Sequence, residues 1–141
     1  MSLEGIFNIF SFFDENEPNK KIKQEIEGYT STPHYKIKIF IKLIINGKIF
    51  KQQLIQLFQQ SDEPLDMSNV DSAGEFMMHS RAWYWIYQCD LKDNEWQECL
   101  KNIPHKQLFE CLDLCIEYYL SLEEYEKCAF LKSIKEFCEK A

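Results

Sequence analysis

The sequence predicts an α+β fold with an N-terminal helix, a three-stranded antiparallel sheet and a bundle of about four helices. Isoleucine or leucine occupies every second position from 37 to 45, a period typical of a β-strand. Residues 72–139 instead carry repeated helix start signals. A length of 141 residues with 45% hydrophobic content indicates a single domain spanning 1–141, with a basic sheet half at 19–60 and an acidic helical half at 72–139.

The first element is a short helix predicted at residues 3–13. Ile6, Phe7, Phe10 and Phe13 form one apolar stripe at helical spacing. Because its polar positions lack lysine, we expect this helix to pack on the domain rather than to anchor to a membrane. The sequence shows no basic leader and no long apolar run, so a cytoplasmic protein without a membrane partner is expected.

The sheet is predicted around a strand at residues 35–45. Asn46-Gly47 follows at once, and both residues tolerate the positive φ of a type I′ hairpin turn. The return strand is predicted at 48–58, and a first strand near 21–32 completes a meander. Thr32-Pro33 leaves an alternative open, because proline is favoured at the first position of a helix.

Four helices are predicted beyond a polar linker at 61–71. Ser72–Glu75 is a capping box that opens a helix reaching about residue 88. Asp93 caps a short helix, and Pro104 takes the first position of the next, which ends near 120. Ser121–Glu124 is a second capping box, for a final helix to about 139. Because almost no loop separates the last two helices, they are predicted to form an antiparallel hairpin.

This predicted hairpin carries a pattern of acidic, aromatic and apolar residues, namely Leu112, Ile116, Glu124, Tyr125, Glu126, Lys127, Cys128, Ala129, Leu131 and Ile134. With these residues, the region 106–139 resembles the UVR domain, the short helical hairpin that links subunits in bacterial excision repair. The resemblance implies that the hairpin docks onto another protein. The alternative is an ordinary amphipathic hairpin that packs within its own domain.

The formal net charge of −7 is divided unevenly along the chain. Residues 19–60 carry eight lysines and two glutamates, whereas residues 61–141 carry seventeen acids against seven lysines and Arg81. Charge that is segregated in this way can steer a partner of opposite charge. It also arises when two different halves of a domain simply present their charged faces to solvent.

All six cysteines lie in the second half of the chain, at positions 89, 99, 111, 115, 128 and 138. In the absence of a secretion signal they are expected to be free, buried thiols. Cys111 and Cys115 are four residues apart on one predicted helix, with His105 upstream. Because a structural zinc site usually pairs short-spaced ligands from two segments, we interpret these residues as core and predict neither metal nor cofactor.

The densest group of reactive side chains is His79-Ser80-Arg81, followed closely by Trp83 and Trp85. No histidine belongs to a recognisable catalytic triad, so catalytic residues are not predicted. Arg81 is the only guanidinium in the chain and is suited to bidentate contacts. Such a face either contacts a partner or packs as core with Arg81 in an ordinary ion pair. Since aromatic residues dominate interface energetics, the predicted partner-binding residues are Arg81, Trp83, Trp85, Tyr118, Tyr119 and Tyr125.

A second candidate interface is the lysine-rich face of the predicted sheet. If Ile37 and its alternate neighbours face the core, then Lys36, Lys38, Phe40 and Lys42 share the other face. Lysines neutralise phosphates, and an exposed ring stacks on a base. This face therefore predicts a module that binds RNA or single-stranded nucleic acid. The alternative is a solvated face that lysines protect from edge pairing.

These features favour a non-enzymatic protein-binding protein. Small size, acidic charge and the lack of a catalytic motif are typical of an inhibitor or immunity-type protein, for example a phage-encoded anti-CRISPR factor that acts on a nuclease. An acidic surface can occupy the basic channel of such a partner. The alternatives are the nucleic-acid-binding module and an enzyme centred on His79 and Arg81. Homo-oligomerisation stays open, because exposed aromatic residues can also pack against a second copy.

Overall fold

The protein is helical throughout the part of the chain that the computed structural model describes, residues 17–60 and 67–141. Within those ranges there is no β-strand, so the predicted α+β fold with a three-stranded sheet is wrong. The helix predicted at 3–13 lies outside the described residues. The described residues form six helices in this order: α1 Glu17–Thr30, α2 Pro33–Gln59, α3 Met67–Ile86, α4 Asn94–Asn102, α5 His105–Ser121 and α6 Tyr125–Lys140.

Helix α2 replaces the predicted central strand because its sequence also contains a helical stripe. Ile37, Phe40, Ile41 and Ile44 follow the i, i+3, i+4, i+7 spacing of one helix face, and all four are buried. Nearly every residue from 37 to 45 is apolar, so a period of two and a period of 3.6 fit the same segment. Phe40 and Ile44, which break the strand alternation, are among the most deeply buried residues.

The start of α2 confirms the alternative that was left open at Thr32-Pro33. Thr32 precedes the helix, and its Oγ1 accepts a hydrogen bond from the backbone N–H of Tyr35 at 3.3 Å. Pro33 then takes the first helical position, where no intrahelical N–H bond is lost. A side-chain cap and a proline with a preset φ thus open the helix, and the residues after them continue it.

The other two predicted strands and the hairpin turn are also wrong. The segment 21–32 lies mostly in α1, and 48–58 lies in the second half of α2. Asn46-Gly47 falls inside α2 and makes no turn. Gly47 has a packing role there instead, since a Cβ atom built at this position would overlap the side chain of Met78 on α3. The glycine therefore allows α2 and α3 to approach closely.

The predicted short helix is confirmed, whereas the helix predicted to begin at Pro104 begins one residue later, at His105. The Asp93 side chain accepts a hydrogen bond from the backbone N–H of Glu95 at 2.8 Å and caps α4. Pro104 stands directly before α5. On α4, Trp96 and Leu100 are buried one turn apart, so this short helix presents a single apolar edge to the core.

Neither predicted capping box acts as a cap. Helix α3 begins at Met67, so the Ser72–Glu75 box lies inside it. Ser121 is the last residue of α5, and its hydroxyl donates to the backbone carbonyl of Tyr118. Glu124 precedes α6 without a side-chain cap bond. The four-residue pattern therefore does not mark a helix start in either place: one copy lies inside α3, and the other spans the end of α5 and the connection to α6.

Helices α5 and α6 form the predicted antiparallel hairpin. The connection is three residues long, and Glu123 adopts a positive φ of 60°. Across the hairpin, Lys135 on α6 binds Asp113 on α5 at 2.9 Å, and the Cys128 thiol donates to the backbone carbonyl of Ile116 at 3.6 Å. The tight connection and these cross-contacts fix which faces of the two helices meet. The resemblance to a UVR hairpin stays a prediction.

The core lies between the first half of α2, the second half of α3, and helices α4 to α6. Helix α2 runs antiparallel to α3, since Tyr35 contacts Trp85, Gly47 faces Met78, and Lys51 binds Glu75. Among the described side chains, none between residue 45 of α2 and residue 78 of α3 is fully buried. The pair of helices therefore continues past the core. None of the described helices combines the length and hydrophobicity needed to cross a bilayer.

The two helix-interior glycines of α2 and α3 give a matched test of this packing. A Cβ at Gly74 meets no atom within 4 Å, whereas a Cβ at Gly47 overlaps Met78. Gly74→Ala is expected to raise the free energy of unfolding by about 0.5–1 kcal/mol through helix propensity. Gly47→Ala gains the same propensity but overpacks the helix contact. Its free energy of unfolding, measured by urea denaturation, is expected at least about 1 kcal/mol below that of Gly74→Ala, and equal values for both variants contradict the close packing.

Candidate functional site

An apolar groove runs between α2 and α3 where the helix pair leaves the core. Its cavity volume is about 330 Å³, within the lower part of the range typical of ligand and side-chain pockets. Gly47 and Gly74, one on each helix, also line the groove: the Met78 side chain lies against Gly47, whereas no atom lies within 4 Å of a Cβ built at Gly74. The apolar residues that line the groove are Leu43, Phe50, Leu54, Ile55, Met77 and Met78.

The surface around the groove is unusually apolar for a solvated one. Phe50 is 59% exposed and Met77 is 56% exposed. Leu57, one turn beyond Leu54 on α2, is 61% exposed. Phe50, Leu54 and Leu57 share one side of α2 by their i, i+4, i+7 spacing. We call these three residues, together with Leu43, Ile55, Met77 and Met78, the groove face.

Charged residues form a small, balanced rim on the groove. Lys51 of α2 donates to Glu75 at 2.7 Å and lies 3.2 Å from Asp71, both on α3. The hydrogen bond to Glu75 is the main reason that the pKa of Lys51 is raised. Arg81 also lines the groove. Because all these side chains are partly exposed, their ion pairs contribute little to stability, and they mainly set the register of the two helices.

The predicted partner-binding residues lie in different environments. Trp83 is half-buried and packs edge-on against Tyr119 and Phe130. Lys127 lies above both Trp83 and Tyr119, at 5.2 and 4.7 Å from the ring centroids. Tyr119 is buried, and its hydroxyl donates to the backbone carbonyl of His79 at 3.1 Å. These two aromatic residues hold α3, α5 and α6 together.

The other predicted partner-binding residues are more accessible. Arg81 is exposed and lines the groove. Tyr125 is exposed at the start of α6. Trp85 is half-buried and packs edge-on against Tyr35, and Tyr118 stacks on His79 at a ring distance of 3.9 Å. Only Arg81 of the predicted set therefore belongs to the groove.

His79 is buried and incompletely hydrogen-bonded. Its Nδ1 lies 2.8 Å from the backbone carbonyl of Glu75, so this nitrogen carries the proton and donates. The Nε2 atom is buried and has no hydrogen-bond partner within the described part of the chain. Burial is the main cause that lowers the pKa of His79, because a charged ring there is poorly solvated. The environment thus holds the imidazole neutral.

His79 and Arg81 do not form a catalytic pair in this structure. Two residues apart on a helix, their side chains point about 200° away from each other. His79 is buried against Tyr118 and Tyr119, whereas Arg81 is exposed beside the groove. A general base has to reach the group it deprotonates, and these two residues share no space.

The cysteines are free thiols, and five of the six are buried. Burial raises the pKa of the thiol of Cys89 to about 12 and that of Cys111 to about 11, so both stay protonated near neutral pH. His105, once a candidate ligand beside Cys111, already places its Nε2 2.8 Å from the backbone carbonyl of Leu100. Across the described ranges, no three histidine, cysteine or acidic side chains converge as a metal site.

The predicted lysine-rich interface has no sheet to carry it, and its arrangement is wrong. Phe40 is fully buried in the core rather than exposed. Lys38 and Lys42 lie one turn apart on the solvent side of α2, while Lys36 is half-buried on another face of that helix. The helical period separates side chains that a strand would align.

No family model, curated protein or solved structure matches the chain. The candidate site therefore rests on geometry alone. The sequence contained a signal for the groove face, because Leu43, Phe50, Leu54 and Leu57 form a helical stripe. That stripe was missed because residues 48–58 were interpreted as a return strand.

The buried imidazole predicts a specific pH dependence of stability. The unfolded chain has an ordinary histidine pKa near 6.5, and the folded pKa of His79 lies below it. Between these two values the unfolded state binds more protons, so stability falls as the pH drops below about 6.5. The charged and titratable groups around the ring are Glu75 on α3, Lys51 on α2, and Tyr118 and Tyr119 on α5.

The measurement is the free energy of unfolding by urea between pH 7.5 and 5. His79→Gln is expected to lose part of the acid destabilisation seen in the wild type, because it removes the titrating group. His34, which is exposed, gives the matched control, and His34→Gln is expected to keep the wild-type pH dependence. If the free energy of unfolding of His79→Gln changes with pH as steeply as that of the wild type, the pKa of His79 is not lowered in the folded state.

Proposed function

We propose that this protein is a non-enzymatic protein-binding protein and that the groove face of α2 and α3 is its docking surface. The observation that carries the proposal is this accessible apolar groove, which no other described part of the chain covers. Three side chains of the groove face, Phe50, Leu57 and Met77, are more than half exposed. Apolar patches of about 300–600 Å² are often interaction sites on soluble domains.

The shape of the groove supports an amphipathic helix as the element that docks there. Two antiparallel helices form the walls, and the apolar side chains repeat along α2 at helical spacing. Such grooves accept partner side chains at i, i+3, i+4 and i+7 positions. Arg81 and the Lys51 cluster at the rim supply polar contacts that fix orientation.

A finer form of the proposal is an inhibitor of a basic partner such as a nuclease, in the cytoplasm. Its support is the acidic charge of the second half of the chain. On α5, the acidic residues Glu110, Asp113 and Glu117 line a second groove against α2. Of these three, Asp113 forms an ion pair with Lys135. An acidic wall raises the association rate with a basic surface, which predicts that binding to such a partner weakens with added salt.

The groove is tested with a variant that leaves the core untouched. Phe50→Glu with Met77→Glu, hereafter the groove variant, places two charges on the groove face, where a docked helix would have to desolvate them. Affinity capture from the source cells with tagged bait is expected to recover a bound protein with the wild type. The groove variant is expected to recover at least about tenfold less, equivalent to about 1.4 kcal/mol.

The control places the same charges on exposed leucines elsewhere. Leu120→Glu with Leu122→Glu, hereafter the hairpin variant, alters the α5–α6 connection, where both side chains are about half exposed. It is expected to capture the bound protein as the wild type does. Loss in the hairpin variant with retention in the groove variant contradicts the groove proposal and favours docking through the UVR-like hairpin. Equal capture by all three proteins also contradicts it.

A further inference from the structure

We infer that the protein which docks on the groove face is a second copy of this chain, so that two α2–α3 pairs pack about a two-fold axis as a four-helix bundle. The inference rests on the proposed docking function of the groove face. It names the occupant and makes the protein a homodimer.

Within residues 17–60 and 67–141, the burial pattern leaves one layer of the helix pair without a cover. Past the core, α5 lies on one side of α2, where the second groove contains Ile45, Lys48 and Ile49. The groove face lies on the other side of α2, and it has no described neighbour apart from α3. Helix stability in proteins comes mainly from packing an apolar face. A second helix pair laid on this face would complete a bundle with its apolar residues inside.

Local charge favours a second copy over a charged foreign partner. On the groove face, Lys51 is paired with Asp71 and Glu75 of its own copy, and Lys48 lies at the second groove on the other side of α2. A two-fold axis makes each contact occur twice with the roles exchanged. Because Lys51, Asp71 and Glu75 are paired within each copy, the face offers a strongly charged foreign partner little attraction, whereas a second copy matches it in polarity.

The rest of the molecule makes the groove face the least repulsive place for two copies to meet. The chain carries a net charge of −7, so two copies repel each other at most orientations. On the groove itself, Lys51 and Arg81 are matched in number by Asp71 and Glu75. The repulsion between copies is therefore lowest where this neutral, apolar face is the contact.

The available area is enough for a reversible dimer. A fully exposed large aromatic side chain offers about 150–250 Å², so three apolar side chains that are more than half exposed and four that are half-buried offer on the order of 500 Å² per copy. Two copies then bury roughly 1,000 Å², the lower limit for a specific interface. We expect a dimer that forms in the range of about 1–100 μM rather than a permanent one.

The test is the mass of the purified wild-type protein in solution. Sedimentation equilibrium between about 1 and 100 μM is expected to show a rise from 16.9 kDa toward twice that mass. The hairpin variant is expected to follow the wild type, and the groove variant to stay monomeric throughout. Far-UV circular dichroism and thermal melting check that both variants keep the wild-type helix content. A wild-type protein that is monomeric at the highest concentration overturns the inference without any variant.

Salt gives a second, independent readout. Because the dimer joins two acidic molecules through an apolar face, added sodium chloride screens the repulsion and is expected to tighten dimerisation several-fold. Weakening by salt, or a groove variant that dimerises as the wild type does, overturns the inference. If the pure protein is monomeric while the groove variant still loses a captured foreign protein, the docking function stands and only its occupant is wrong. If neither self-association nor capture occurs, both fail.

Discussion

The burial of the first three turns of α2 governs the rest of the structure. Ile37, Phe40, Ile41 and Ile44 lie in the centre of the core, and the Cys111 thiol of α5 approaches the backbone carbonyl of Ile41 at 3.9 Å. Fully burying side chains of this size stabilises the fold by about 1.5–3 kcal/mol each. Helices α3, α4 and α5 pack against α2, and α6 packs on α5, so the positions of α3 to α5 follow directly from this stripe and that of α6 follows through α5.

The length of α2 creates the candidate site. The helix has 27 residues, about 40 Å at 1.5 Å per residue, and its fully buried stripe ends at Ile44. The remaining turns of α2 also carry apolar residues, and they run beside α3. The two helices stay close there because Gly47 of α2 faces Met78 of α3. The same helix is thus the core of the domain at one end and a docking surface at the other. A substitution at the Gly47–Met78 contact is therefore expected to change both the stability of the fold and the shape of the groove.

The aromatic residues of the second half mostly serve the core. Lys127 covers the rings of Trp83 and Tyr119, and Tyr118 stacks on the neutral imidazole of His79. These contacts join α3 to α5 and α6 on the side away from the groove. They give the groove a rigid support, because the helix that forms one of its walls is fixed from behind. Rigid support of this kind reduces the ordering cost of binding.

Local signals in the sequence determined the α4 cap at Asp93, the start of α5 after Pro104 and the tight α5–α6 hairpin, since each depends on a few neighbouring residues. Free, mostly buried thiols also followed from the sequence. The tertiary structure decided what α2 is. A segment with apolar residues at nearly every position satisfies two periods at once, and only packing against α3 and α5 selects the helical one. It also decided the groove, because the close contact of Gly47 with Met78 joins residues 31 positions apart. The pattern of residues along the sequence does not show which distant positions come into contact in space.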